Sequence, residues 1–403
     1  MALQNAVIAM RLLSLLVGTF VCLLIAGPLA PSQVQAKVVE LYTVQVDAAS
    51  RADPVRKRAF RKALKRVLVR VTGRRDAPRA EGVAGLLDRA PSFVDQYRYR
   101  QIKPETADKR KTGATTNGVQ GGQRREPGEE DGAQGAADSP GYRLWVQFDA
   151  GALEREISAL DLPFWGAERP VSLLWVGIQD GDRRSVLAEG DSSALKATAR
   201  KAARRRGLPI VIPLMDIQDQ RRVQFGDIAG GFMGAIEDAS RRYDADVIVV
   251  VRLRPGADGR WEARWQYRSD DLEGRQRLRA EDPHVALREG VHWLADQLAQ
   301  RLAVRPGEGG TEATMVRVDG VRSLSDFLRI DRYLDGLDIV ADHQVVAVVD
   351  ESVRFGVHAR GGADGLARVI RLGDLLERAA PSGGRRSSAP SADQPGLRYT
   401  LSP

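Results

Sequence analysis

The sequence predicts an α/β (α+β) protein of three small modules, and three short apolar runs carry most of that prediction. They lie at residues 171–178, 208–212 and 247–251, with a helical pattern in each gap. Short β-branched runs joined by helical crossovers read as buried parallel strands. Residues 161–304 are therefore expected to hold a central, mostly parallel sheet. Trp261, Ala263, Trp265 and Tyr267 alternate as an antiparallel return strand.

Before it, residues 37–160 read as a β-α-β-β module. Val38, Glu40, Tyr42, Val44 and Val46 share one face of a first strand. Asp53 is placed as the N-cap of a helix with Pro54 in its first turn. Val55, Ala59, Phe60, Ala63, Leu64, Val67, Leu68 and Val71 form a stripe of period 3.6, and Gly73 ends it. Strands follow at 97–103 and 142–148, then a short helix at 152–160. The stretch 105–140 between those strands is Gly-rich and lacks aromatic residues, so it is expected to be a disordered excursion from a hairpin.

In the central domain the first strand ends at Gly177 and the chain turns over 179–182. Ser192 is expected to cap a helix that runs to Arg206, with Gly207 beyond it. Asp227 is expected to cap a second, carrying Ile228, Phe232, Ile236 and Ala239. After the third strand come the turn at 255–259, the return strand, a further strand at 276–279 and an amphipathic helix at 283–302. A Pro/Gly-rich joint at 305–310 leads to residues 311–378, a ferredoxin-like βαββα half. Its strands are placed at 314–318, 345–349 and 353–358. Its first helix starts at Ser323 or Ser325 and its closing helix covers 366–376. Residues 379–403 read as a disordered polar tail.

The 403 residues carry 61 basic and 53 acidic side chains, a net charge of +8. A basic balance favours anionic surfaces. Residues 1–36 read as a secretory leader: Arg11 is the positive end, 12–26 the apolar stretch, and Val34-Gln35-Ala36 the cleavage site before Lys37. Cys22, the one cysteine, leaves with it, so the mature chain offers no disulfide and no thiol nucleophile. The expected location is the periplasm, which removes nucleic acid as a partner.

Several segments then stand together: Arg58-Ala59-Phe60-Arg61-Lys62-Ala63-Leu64 before Thr72-Gly73; Trp165-Gly166 before Arg169-Pro170; Gly207-Leu208-Pro209 before Pro213-Leu214-Met215-Asp216; and 239–246. As a set they resemble the bacterial exported proteins catalogued as domain of unknown function 2066, a family that implies no activity. The central domain also resembles the α/β domain of the amino-terminal part of TolB and of curli-assembly factors. That likeness implies protein–protein work at the envelope.

Candidate chemistry is sparse. Asp180 follows the first central strand and Asp216 and Asp219 the second, where an open α/β sheet forms its ligand crevice. Carboxylates there could hold a cation or act as acid and base; capping helices and binding turn amides is the plainer role. His284, His292, His343 and His358 have no metal-ligand spacing. The glycines at 230, 231 and 234 come too late for a phosphate loop. No nucleophile motif stands in a suitable context. The helix over 55–71 bears eight bases, and Arg58, Arg61, Lys62 and Lys65 are the candidate contacts to anionic lipid or lipopolysaccharide. The reading is a non-catalytic exported scaffold or assembly accessory, without cofactor or metal, acting through contacts with envelope proteins. The alternative is a periplasmic ligand- or cation-binding protein or hydrolase that uses the acidic crevice.

Overall fold

The computed structural model describes residues 39–102, 141–305, 313–379 and 396–402. The leader, the excursion at 105–140, most of the 305–310 joint and the tail up to residue 395 lie outside the described residues. What is described is an α+β fold with three sheets, falling within one compact unit, Ala36–Pro403.

In the first module β1 (Thr43–Ala48), β2 (Val94–Gln101) and β3 (Tyr142–Phe148) form an antiparallel sheet in the order β1-β3-β2. The helix α1 (Asp53–Thr72) packs on it through the stripe read from the sequence: Ala59, Phe60, Ala63, Leu64, Val67, Leu68 and Val71 are all buried. Gly73 ends α1 with φ +67, and its N–H donates to the Arg70 carbonyl. The N-cap is Ala52 rather than Asp53, because the Asp53 carboxylate is engaged by Arg56 in the first turn. A short helix, α2 (Val83–Asp88), which the sequence reading missed, closes the end of this core with Leu86 and Leu87. After β3 comes α3 (Ala150–Ala159), capped by the Asp149 side chain.

The central sheet has six strands: β4 (Ser172–Asp180), β5 (Arg183–Val186), β6 (Ile210–Val211), β7 (Val247–Pro255), β8 (Trp261–Arg268) and β9 (Glu273–Ala280). Their order is β5-β4-β7-β8-β9, with β6 also beside β4. Only β4–β6 and β4–β7 are parallel pairings; β4–β5, β7–β8 and β8–β9 are antiparallel. The expectation of a mostly parallel sheet is thereby corrected. β4 runs three residues past Gly177, to Asp180, and the expected turn at Gly181 sends the chain back as β5 instead of into a crossover.

Two layers cover this sheet. On one face α4 (Ala194–Arg206) and α8 (Pro283–Leu302) bury Val249, Val251, Leu253, Ala263, Trp265 and Tyr267. Ser193, not Ser192, caps α4, accepting from the Lys196 amide. On the other face lie α5 (Ile217–Arg222), α6 (Phe225–Gly230) and α7 (Met233–Ser240), which bury Leu173, Trp175 and Val250. The single helix expected from Asp227 is two, broken at Gly231, which takes φ +70; Phe232 is left 63% exposed at the break.

The last module contains the expected βαββα series: β10 (Thr314–Asp319), α9 (Leu324–Asp335), β11 (Val340–Val349), β12 (Ser352–Ala359) and α10 (Gly362–Ile370). Ser323 caps α9. Two further strands, β13 (Leu376–Arg378) and β14 (Leu397–Leu401), complete a sheet of order β11-β12-β10-β14-β13. The expectation of a disordered tail is corrected for residues 397–401. Leu397 and Tyr399 alternate into the core, and β14 runs parallel to β10 in the middle of the sheet. The closing helix is also shorter than expected, because residues 376–378 pair as a strand. The first and last modules share one continuous core, in which Leu162 and Phe164 join Val44 and Leu64 to Phe355 and Ile370.

Candidate functional site

The residues singled out in the sequence fall at separate places, and the junction of the modules and the β11 edge were not foreseen. Asp216 and Asp219 come together. Asp216 caps α5 by accepting from the Gln218 and Asp219 amides, and both its oxygens accept from Arg242 at 2.9 Å. Arg242 and these amides hold its carboxyl below the usual range. Asp219 is fully buried. It accepts from the Met215 amide at 2.9 Å, from the Tyr243 hydroxyl, and from Arg242 at 3.2 Å. Burial and the bond to Asp219 push the Tyr243 phenol up.

Asp180 is not brought to this pair. It ends β4 opposite Arg183 of the hairpin, seven residues beyond Leu173, the last position paired with β6; that is roughly 23 Å of strand. The β5 hairpin occupies the edge of β4 where a crevice between parallel neighbours would open. Asp216 and Asp219 therefore do the work of a helix cap and a loop clamp.

The histidines are spread over separate partners. His284 meets Thr198, His343 sits between Asp331 and Asp335, and His358 meets Asp342. Burial and the nearby Arg206 pull the His292 imidazole down to about 4. Among the described residues no group of His, Cys, Asp or Glu has the geometry of a metal site.

On α1, Arg58, Arg61, Lys62 and Lys65 are all exposed. Arg61 is paired with Asp88; Arg58, Lys62 and Lys65 have no partner among the described residues. Of the other bases of that face, Lys57 is exposed without a partner among the described residues, and Arg56 pairs with Asp53. Arg66 donates to the Gln45 carbonyl, and Arg70 to those of Glu40 and Thr43.

One unforeseen place is the junction of the modules, where Arg169 is buried. Its guanidinium donates to five carbonyls: Gly166 (2.8 Å), Arg206 (2.7 Å), Gly207 (3.2 Å), Arg70 (2.6 Å) and Trp165 (2.7 Å). It also lies 4.0 Å from the Trp165 ring centroid. The carbonyls of Arg70 and Arg206 close α1 and α4, where helix dipoles favour a cation. Burial, with Arg70 and Arg206 nearby, pulls Arg169 down to about 9, so it stays charged at neutral pH. Arg206, 1% exposed, continues the hub with bonds to the Gly73 and His292 carbonyls and a 2.7 Å ion pair to Asp296. Next to it Glu168 is pushed up to about 7 by burial and by Asp338. Only the Arg169-Pro170 dipeptide hinted at this in the sequence.

One surface stands out for exposed apolar area. β11 is an edge strand, paired on one side only, with irregular register at Val340/Asp342 and Val345/Ala347. Val345, Val346, Val348 and Val349 are 43%, 52%, 65% and 48% exposed. An unpaired edge with this much apolar side chain is a template for a further strand.

Residues 36–166 match the model of a family described as Domain of unknown function (DUF8605). The match covers the first module and stops at the Trp165-Gly166 approach to the central sheet. It corrects the resemblance to domain of unknown function 2066, whose segments within this span fall to a different family. The likeness of the central domain to the TolB and curli-assembly type leaned on a mostly parallel sheet, which the pairing does not bear out. No curated protein matches the chain. Among the described residues no helix is long and apolar enough to cross a membrane.

Proposed function

We propose that the protein is a non-catalytic scaffold or assembly accessory of the cell envelope and that it works by protein–protein contact through the open edge of β11. The exposed valines of that edge carry the reading. Soluble proteins blunt such edges with charge, proline, bulges or a covering element; β11 has two irregularities of register, yet Val345 to Val349 keep a run of apolar residues at the rim, with Asp350 and Glu351 just beyond. A partner supplying an extended apolar segment would satisfy the edge backbone and cover the valines. The acids and bases of the interior support a structural role, since Arg169, Arg206 and Asp219 are each engaged in bonds that hold loops and helix ends.

Export is part of the same proposal. It rests on the leader pattern of residues 1–36 and on a family match that opens at residue 36. Contact of Arg58, Lys62 and Lys65 with anionic lipid belongs with it as an accessory.

The test is site-specific photo-cross-linking in intact cells, with the photoreactive residue at Val348 or, as a control, at Asp258 in the exposed β7–β8 turn. An adduct to a defined envelope protein from Val348 alone is expected. No adduct at Val348, or the same adduct from Asp258, rejects the edge as the working surface. Recovery of the chain from the cytosol with Met1 still attached rejects export.

A further inference from the structure

The helices α6 and α7 cover only the inner half of their face of the central sheet. The register fixes what lies on the outer half. Arg252 of β7, Arg264 of β8 and Arg277 of β9 are directly opposite one another. On one side of this row stand Val250, Gln266 and Arg275, and on the other Arg254, Glu262 and Arg279. Side chains two apart in a strand share a face, so nine positions form one grid holding six arginines and one acid. Neighbours lie about 4.8 Å apart across strands and about 6.7 Å along them.

Like charges set directly opposite one another repel, and the fold only partly compensates. Glu262, the grid's one acid, is 6% exposed and accepts from Arg264 at 2.9 Å and Arg254 at 3.3 Å, with Arg277 at 3.8 Å. Burial pushes this carboxyl up, but the bonds from Arg264 and Arg254 outweigh it and hold it ionised below the usual range. Arg252 donates only to the Ala229 carbonyl at 3.3 Å. Arg275 and Arg279 have no partner among the described residues. The Nε atoms of Arg252 and Arg254 are buried without an acceptor. Where α6 ends, Gly230 and Gly231 wall a concave space of about 530 Å³ whose other side is Arg252, Arg264, Arg275 and Arg277.

We infer that this arginine grid is a binding site for a soluble ligand that carries two or more phosphate groups. Guanidinium forks match phosphate oxygens two at a time, and several such groups would be needed to answer six cations. The occupant follows from what the face lacks. None of its nine positions is aromatic, and the exposed ring at its rim, Phe232 beside Gly230, could stack a single base at most, short of the successive platforms a strand needs. Its only apolar member, Val250, is buried, and Phe232 at its rim is a lone side chain, so the face lacks the apolar area that would insert among lipid chains. The site is distinct from the β11 edge, and either assignment can fail without the other.

Inorganic tripolyphosphate titrated into the purified full chain tests it by calorimetry, at low and at physiological salt. Saturable binding that weakens with salt is expected. The variant Arg275→Ser with Arg279→Ser removes two exposed, unpartnered side chains and leaves Glu262 its ion pairs, so it should fold as the parent does. Its dissociation constant for tripolyphosphate should rise about tenfold or more. Replacing Arg58, Arg61, Lys62 and Lys65 by Ser should leave that constant unchanged. No binding at physiological salt, or equal binding by the Arg275/Arg279 variant, overturns the inference. So does tighter binding of a single-stranded oligonucleotide, or binding to phosphatidylglycerol vesicles through the Arg275/Arg279 pair that tripolyphosphate does not displace.

Discussion

Arg169 donates to the carbonyl of Arg70, 99 residues earlier in the chain, at 2.6 Å. The same guanidinium reaches the end of α4, so one buried cation fastens the first module to the central one. Replacing Arg169 with Met would leave the Gly166, Trp165, Arg206 and Gly207 carbonyls without this donor in a dry interior, and the Arg70 carbonyl with only the Gly73 amide. A loss of about 3–5 kcal/mol is expected, read from the urea midpoint. Arg169→Lys keeps the charge but not the planar fork, and should still lose roughly 2 kcal/mol. A lysine variant as stable as the parent would show that the charge alone matters.

Glu168 gives a pH dependence of definite sign. Its carboxyl titrates at about 7 in the folded protein, above the ordinary 4.5, because burial and Asp338 oppose its ionisation. The folded state thus holds the proton more tightly, and stability falls as pH rises from about 4.5 to about 7. Glu168→Gln should remove up to roughly 3 kcal/mol of that fall. Thermal melts of both proteins at pH 5 and 7.5 check it: the variant should gain on the parent at the higher pH, and an unchanged gap rejects the assignment.

His292 pulls the other way. Its folded value of about 4 lies below the ordinary 6.5, so stability is lost as pH falls from about 6.5 towards 4. His292→Gln should flatten the acid side of the stability profile and leave the side above pH 7 unchanged.

Gly290 sits mid-helix in α8, where a Cβ would stand 1.9 Å from a carbon of the Trp265 ring. Alanine would add about 1 kcal/mol of helix propensity, yet the clash with a fully buried indole outweighs it. Gly290→Ala should destabilise by about 1–3 kcal/mol. Trp265→Phe in the same chain should recover part of the loss, and additive losses in the double variant would deny the contact.

The β11 edge predicts separable effects. Val346→Lys with Val348→Lys places charge on exposed positions and should change stability by less than about 0.5 kcal/mol. The same pair should abolish the cross-link from a photoreactive residue at Val345. Persistence of that adduct would mean the valines are not the contact.

What the sequence made legible was whatever a single periodicity controls. The stripe from Val55 to Val71 and the alternation from Trp261 to Tyr267 both lie where expected, because each buries one face against a neighbour. Strand direction was not legible. β5 is four residues, three of them exposed, and its hairpin turned an expected parallel edge into an antiparallel one. β14 hid behind a Pro/Ser-rich approach, although Leu397, Tyr399 and Leu401 alternate. At the candidate sites, the carboxylates at 216 and 219 were seen, but their partners Arg242 and Tyr243 come from a different segment. The arginine grid was present as period-two spacing at 252/254, 262/264 and 275/277/279; its meaning depends on register, which only pairing supplies.

The place of β14 has a consequence for how the molecule is completed. Its neighbours in the sheet are β10 and β13, so a strand about 80 residues beyond β10 fills an interior place beside it. Until it docks, β10 keeps an open flank and Leu397 and Tyr399 are missing from the shared core. Removing Leu397–Leu401 would therefore strip both β10 and β13 of a partner and open the shared core, a loss far larger than five residues suggest.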